Sequence, residues 1–148
     1  MKKAESLGMK TCNNCRDDLK KKAISCFGED FAITGPTVNV DIYIDAAGAE
    51  RILDLYQDIG KVESRMVVLA VLAGKCPVDI QQMTFAQHAL IGSGRYMEED
   101  ARDVMEIMKG HRWDIESIIT HIYPWEQLPD AIKMVGNVEQ ALNVVIRY

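Results

Sequence analysis

Residues 38–72 decide the fold. They read Val38-Asn39-Val40-Asp41-Ile42-Tyr43-Ile44-Asp45, then Ala46-Ala47-Gly48, then a stretch holding Ile52, Leu55, Tyr56, Ile59 and Gly60, then Met66-Val67-Val68-Leu69-Ala70-Val71-Leu72. The first run is β-branched and aromatic and stops at small residues, the pattern of a strand. From about residue 49 to 59 the apolar positions fall on one face of a helix, and Gly60 follows as a stop. The third run is almost unbroken in its hydrophobicity, as in a strand covered on both faces. Strand, helix and strand at this spacing predict a right-handed βαβ crossover between parallel partners.

Outward from this unit the pieces continue in the same style. Pro77-Val78-Asp79-Ile80 suggests a short extended piece, and Met83 to Gln87 a weak turn or helix. Ala89-Leu90-Ile91-Gly92-Ser93-Gly94 predicts a third short strand ending in glycines. Upstream, residues 2–6 resemble the last turns of a helix closed by Gly8, and residues 17–26 a short amphipathic helix ended near Gly28. Gly35-Pro36 marks a loop. Downstream, residues 97–109 form a helix with Met97, Ala101, Val104, Met105 and Met108 on one side, methionines that read as core filler. An apolar extended segment follows at Ile118, Ile119, Ile122 and Tyr123, then a bend, a short helix over 128–135 and a terminal strand over 144–148. The chain has no internal repeat and no low-complexity tract.

Composition bounds the function. A chain of 148 residues with 48% hydrophobic and 26% charged side chains can bury one ordinary core. Its net charge of −5 supplies no basic field for nucleic acid, and Lys20, Lys21 and Lys22 beside Asp17 and Asp18 read as a solvated helix face. No run reaches the ~18 apolar residues of a membrane span, and the start of the chain has no apolar core of a secretory signal. A cytoplasmic protein is expected. Without an export signal, Cys12, Cys15, Cys26 and Cys76 are expected as thiols. Cys12-Asn-Asn-Cys15 has the spacing of half a zinc site or a redox pair, but no second close pair accompanies it, and Arg16 alone could depress a thiol pKa. Coincidental surface and core thiols are the competing reading.

Four stretches in order, residues 40–50 (VDIYIDAAGAE), 66–74 (MVVLAVLAG), 89–96 (ALIGSGRY) and 118–135 (IITHIYPWEQLPDAIKMV), resemble the second half of the zinc-dependent medium-chain dehydrogenases. These are the alcohol, sorbitol and threonine dehydrogenase-like proteins. The fourth stretch is the most specific. The resemblance spans about residues 40–147 and implies an α/β fold: a partial Rossmann-like parallel sheet with flanking helices, then a C-terminal segment belonging to the catalytic domain. Residues 1–91 would be the second half of the dinucleotide-binding domain, and 92–148 the segment that returns to the catalytic domain.

The resemblance implies hydride transfer between a secondary alcohol, a polyol or hydroxy amino acid, and nicotinamide, with NAD or NADP and zinc as the parent enzyme's cofactors. By resemblance, Ala46 and Ala47 would lie beside the adenosine-side ribose, where small side chains admit the sugar. Leu69, Ala70 and Val71 would approach the nicotinamide and its carboxamide, with Leu90 and Ile91 near the same ring. For each of these, plain packing within a sheet is the competing reading. A basic residue near the family's C-terminus is replaced by Asn143.

The family's phosphate-cradling G-x-G-x-x-G and its zinc ligands belong upstream of this chain. Gly92-Ser93-Gly94 echoes the former but places Met97 at the third glycine, and Gly110-His111-Arg112 matches only two letters of the family's Gly-His-Glu. The chain therefore reads as a C-terminal portion inactive by itself, with no catalytic or metal-binding residue assigned and no cofactor firmly expected for it alone. The alternative is a non-catalytic oligomerisation module, since residues 77–91, from Pro77 through to Ile91, would pair subunits into a dimer or tetramer. His121 is expected to be packed or hydrogen-bonded, and His88 to face a subunit boundary.

Overall fold

The elements begin with α1 (Lys2–Ser6), α2 (Leu19–Phe27), β1 (Glu29–Ala32) and β2 (Gly35–Val38). They continue with β3 (Ile42–Asp45), α3 (Arg51–Ile59), β4 (Arg65–Val68), α4 (Ile80–Ala86) and β5 (Ala89–Gly92). The last are α5 (Glu98–Lys109), β6 (Ile119–Pro124), α6 (Leu128–Val135) and β7 (Asn143–Arg147). This computed structural model describes residues 2–14, 16–72 and 74–148. Backbone contacts divide it into two units, one over Met9–Arg95 and one that joins Lys2–Gly8 to Tyr96–Tyr148.

In the first unit β3, β4 and β5 form a sheet in that order, and both pairs are parallel. Asp45 stands opposite Val68, and Val68 opposite Gly92, so the three strands end level with one another. The crossover helix α3 buries Tyr56 and Ile59 against the sheet, and the Tyr56 ring meets Tyr43 edge-on with centroids 5.1 Å apart. Met66, 2% exposed, sits beneath them. Full burial of a side chain of this size is worth about 1.5–3 kcal/mol. Hydroxyls in this core are partnered: the Thr37 hydroxyl donates to the Ile59 carbonyl at 2.6 Å, and the Tyr56 hydroxyl to the Ser64 carbonyl at 2.9 Å. The α/β class, the parallel order and the crossover helix match the sequence expectation.

Several local features differ from it. The alternating run at 38–45 is not one strand. Val38 closes β2, Val40 N–H donates to the Val38 carbonyl at 2.9 Å, and β3 starts only at Ile42. Lys61 lies at this break, its ammonium 2.7 Å from Asn39 Oδ1 and 2.7 Å from Asp41 Oδ1. Second, Gly35-Pro36 is not a loop but opens β2, which pairs antiparallel with β1 across a two-residue turn at Ile33 and Thr34. A two-stranded ribbon has only edges, so a proline without an N–H is tolerated there. Third, β4 stops at Val68: Leu69 N–H makes the last ladder bond to the Asp45 carbonyl, and Ala70 N–H turns back onto the same carbonyl instead of extending the strand. Residues 77–79 form no strand; Asp79 caps α4 by accepting from Gln82 N–H at 3.0 Å.

In the second unit β6 and β7 pair in parallel, joined by α6 with Ala131 buried on it. The Trp125 ring stacks on Tyr148 with centroids 5.4 Å apart. The helix α5 forms as expected, but its apolar stripe is not core. No residue of α5 is buried, and Val104 and Met105 are more than half exposed. Among the described residues no helix is long and apolar enough to cross a membrane.

Candidate functional site at the sheet tips

Ligands of open parallel sheets bind where the strands end. At the end of β3, Asp45 is 3% exposed, and its Oδ1 accepts from both Ala47 N–H and Gly48 N–H at 2.9 Å. An Asp in this place shapes its own following turn, because a short side-chain acceptor reaches the amides two and three residues on. The turn leaves Ala46 and Ala47 exposed at the tip. The next tip is held by the same residue, whose carbonyl receives Leu69 N–H at 2.9 Å and Ala70 N–H at 3.1 Å. A third link joins the tip of β5, since Ser93 N–H donates to the Val68 carbonyl at 2.9 Å.

The structure therefore brings Ala46, Ala47, Leu69, Ala70 and Val71 to one end of the sheet. Leu69 is 48% exposed and Val71 97% exposed, so neither is packed as a core residue in this chain. Leu90 and Ile91 lie elsewhere, within the ladder opposite Met66 and Val67, and the residue level with the tips is Gly92. Asp45 and Gly48 were not singled out from the sequence. The signal available for them was an acidic residue closing an apolar strand, followed three residues later by glycine.

Titratable groups with displaced pKa values in this unit lie away from the tips. Hydrogen bonds from Lys61 and the Phe31 amide hold Asp30 below its ordinary range, and the Asp41 and Asp30 carboxylates hold Lys61 above its own. Burial raises Tyr43 to about 12, and burial also raises Tyr56. These groups brace the fold and carry no chemistry at the tips. A cavity of about 660 Å³ between α2, β3 and α3 is likewise separate, lined mainly by hydrocarbon from Leu19, Phe27, Ile42, Ile52 and Leu55.

His88 is core, 8% exposed, with Nε2 3.1 Å from the Lys61 carbonyl and its ring 5.0 Å from that of Tyr56. A carbonyl only accepts, so Nε2 carries the proton, and the buried Nδ1 has no hydrogen-bond partner. His121 is hydrogen-bonded as expected, through Nδ1 to the Thr120 hydroxyl at 3.0 Å, and stacks on Tyr123.

Among the described residues no three His, Cys, Asp or Glu side chains converge to hold a metal, so they do not fit a zinc site. Cys12, Cys26 and Cys76 are free, half-buried thiols, and Cys15 of the Cys12–Cys15 pair lies outside the described residues. The Gly92-Ser93-Gly94 segment is no phosphate cradle. The helix after it, α5, opens with Glu98, Glu99 and Asp100, and Asp100 already accepts from Met97 N–H at 2.7 Å. Acidic side chains there repel an anion. The tips present two exposed alanines, Ala46 and Ala47, and turn backbone.

No protein-family model matches the chain, and no curated protein sequence does. Solved structures do. An alcohol dehydrogenase (rspB) of Escherichia coli CFT073, described as short chain and complexed with cofactor NADH, matches with a TM-score of 0.81 at 19% identity, over 99% of this chain and 41% of that one. The 2R,3R-butanediol dehydrogenase of Bacillus subtilis matches with a TM-score of 0.81 at 14% identity, over 99% and 40%. The alcohol dehydrogenase TADH of Thermus sp. ATN1 matches with a TM-score of 0.79 at 21% identity, over 97% and 39%. At these identities the likeness establishes a shared fold, the Rossmann-like fold of alcohol and polyol dehydrogenases. The chain spans about two fifths of the length of these enzymes.

Proposed function

We propose that the chain is the C-terminal portion of an NAD(P)-dependent medium-chain dehydrogenase of the zinc type. Its parent reaction is hydride transfer between a secondary alcohol and nicotinamide. Residues 1–91 supply half of the dinucleotide-binding domain, and residues 92–148 return to the catalytic domain. The observation that carries the proposal is the level ending of β3 and β4, with Ala46, Ala47, Leu69, Ala70 and Val71 gathered at one tip. It is supported by the overlay of nearly the whole chain on an NADH-complexed alcohol dehydrogenase. In this reading the tips hold the adenosine-side ribose and the nicotinamide, Leu90 and Ile91 back the ring, and zinc and pyrophosphate are bound by residues outside this chain. When bound, zinc would supply the Lewis acid that lowers the alcohol's pKa.

The test has two arms. With zinc, NAD or NADP and a panel of polyols, the chain gives no turnover; in saturation-transfer NMR it transfers magnetisation to the ribose and nicotinamide protons of NADH. Turnover would overturn the assignment of catalysis to residues outside the chain, and absence of transfer would overturn the cofactor assignment.

A second reading, a self-associating module, is favoured by one observation. Within residues 77–91, Ile80 is 68% and Phe85 65% exposed on α4, and β5 is an edge strand of its sheet among the described residues. Exposed apolar side chains and an unpaired strand edge each favour association.

A further inference from the structure

We propose that Asp45 and Gly48 are positioning residues that clasp the two turns at the sheet tips into one surface, so that neither turn moves without the other. The inference rests on the cofactor reading of those turns. Asp45 acts on both: its side chain fixes the first turn through Ala47 and Gly48 amides, and its carbonyl fixes the second through Leu69 and Ala70 amides. Gly48 brings the turns into direct contact. Its φ is +69°, and a Cβ there would stand 3.1 Å from the Ala70 Cβ and 3.4 Å from the Val71 carbonyl oxygen. Glycine is needed twice over, for the left-handed backbone and for the close approach. The residues that would meet the ribose and those that would meet the nicotinamide are thus held at a fixed spacing by groups that touch neither.

The substitutions separate this role from simple loss of fold. Asp45→Asn keeps an acceptor oxygen, Asp45→Ala removes it, and Gly48→Ala pushes the turns apart. In amide NMR of the full chain, Gly48→Ala and Asp45→Ala shift the Leu69, Ala70 and Val71 amides and speed their exchange, while Asp45→Asn resembles the wild type. NADH affinity falls about tenfold in Gly48→Ala, as expected for the loss of one or two aligned contacts, while the strain lowers the melting temperature by only a few degrees and leaves the chain folded during the titration. Asp45→Ala loses affinity in the same way, whereas Asp45→Asn binds NADH as the wild type does. If Asp45→Ala unfolds the chain, Gly48→Ala decides alone. Unmoved Leu69–Val71 amides in Gly48→Ala would overturn the clasp. Failure of the wild type to bind NADH would instead overturn the cofactor reading, since the amide spectra report the clasp without ligand.

Discussion

At the scale of single residues, Lys61 ties the ribbon of β1 and β2 to the sheet. Its ammonium lies 3.0 Å from Asp30, 2.7 Å from Asp41 and 2.7 Å from the Asn39 side chain. Asp30 is held below its unfolded value, so its stabilisation is present above about pH 4 and is lost as pH falls further. Lys61 is held above its unfolded value, so its stabilisation is complete below about pH 10 and is lost as pH rises. Tyr43, raised to about 12 by burial, adds to the alkaline loss between about pH 10 and that value. After discount for the exposed half of Tyr43, its share is on the order of 1–2 kcal/mol. Melting temperature against pH should therefore fall on both limbs, and Lys61→Met should flatten the acid limb; an unchanged acid limb would contradict the role of Lys61. Gly60 makes a second prediction. A Cβ at Gly60 would meet the Tyr56 carbonyl at 2.8 Å and the Ser64 hydroxyl at 3.0 Å, so Gly60→Ala should cost about 1–3 kcal/mol in urea unfolding.

At the scale of elements, legibility followed the range of the forces involved. The crossover helix α3, the parallel strands and the glycine-closed α2 were readable because their signals lie within a few neighbours in sequence. The break at 39–41 was not, because the side chains there are bound by Lys61, twenty or more residues away. The end of β4 was not, because the apolar run continues through Leu72 while the backbone turns toward Asp45. The residues Ala46, Ala47, Leu69, Ala70 and Val71 came from family resemblance, whereas the turn at Leu69 and the bonds that join the two tips needed the fold. The stripe on α5 shows the converse: period alone marks an apolar face, not what covers it. Capping offers a check on α4. Asp79→Ala should cost about 1 kcal/mol by removing the bond to Gln82 N–H, seen as lower helicity on denaturant titration.

At the scale of the whole molecule, the chain carries the Rossmann-like fold of alcohol dehydrogenases over about two fifths of their length, with exposed apolar side chains on several elements. Sedimentation should show association that increases with concentration, and Ile80→Asp with Phe85→Ser should weaken it without changing the circular dichroism. Concentration-independent monomers would remove the self-association reading and leave the dehydrogenase reading standing. The most direct measurement is a residue-resolved amide NMR titration of the full chain with NADH. Shifts should concentrate at residues 46–48 and 69–71, with weak affinity, on the order of millimolar, for want of a pyrophosphate cradle. Shifts centred on the cavity between α2 and α3, or none at saturating NADH, would contradict the assignment of the sheet tips to the cofactor.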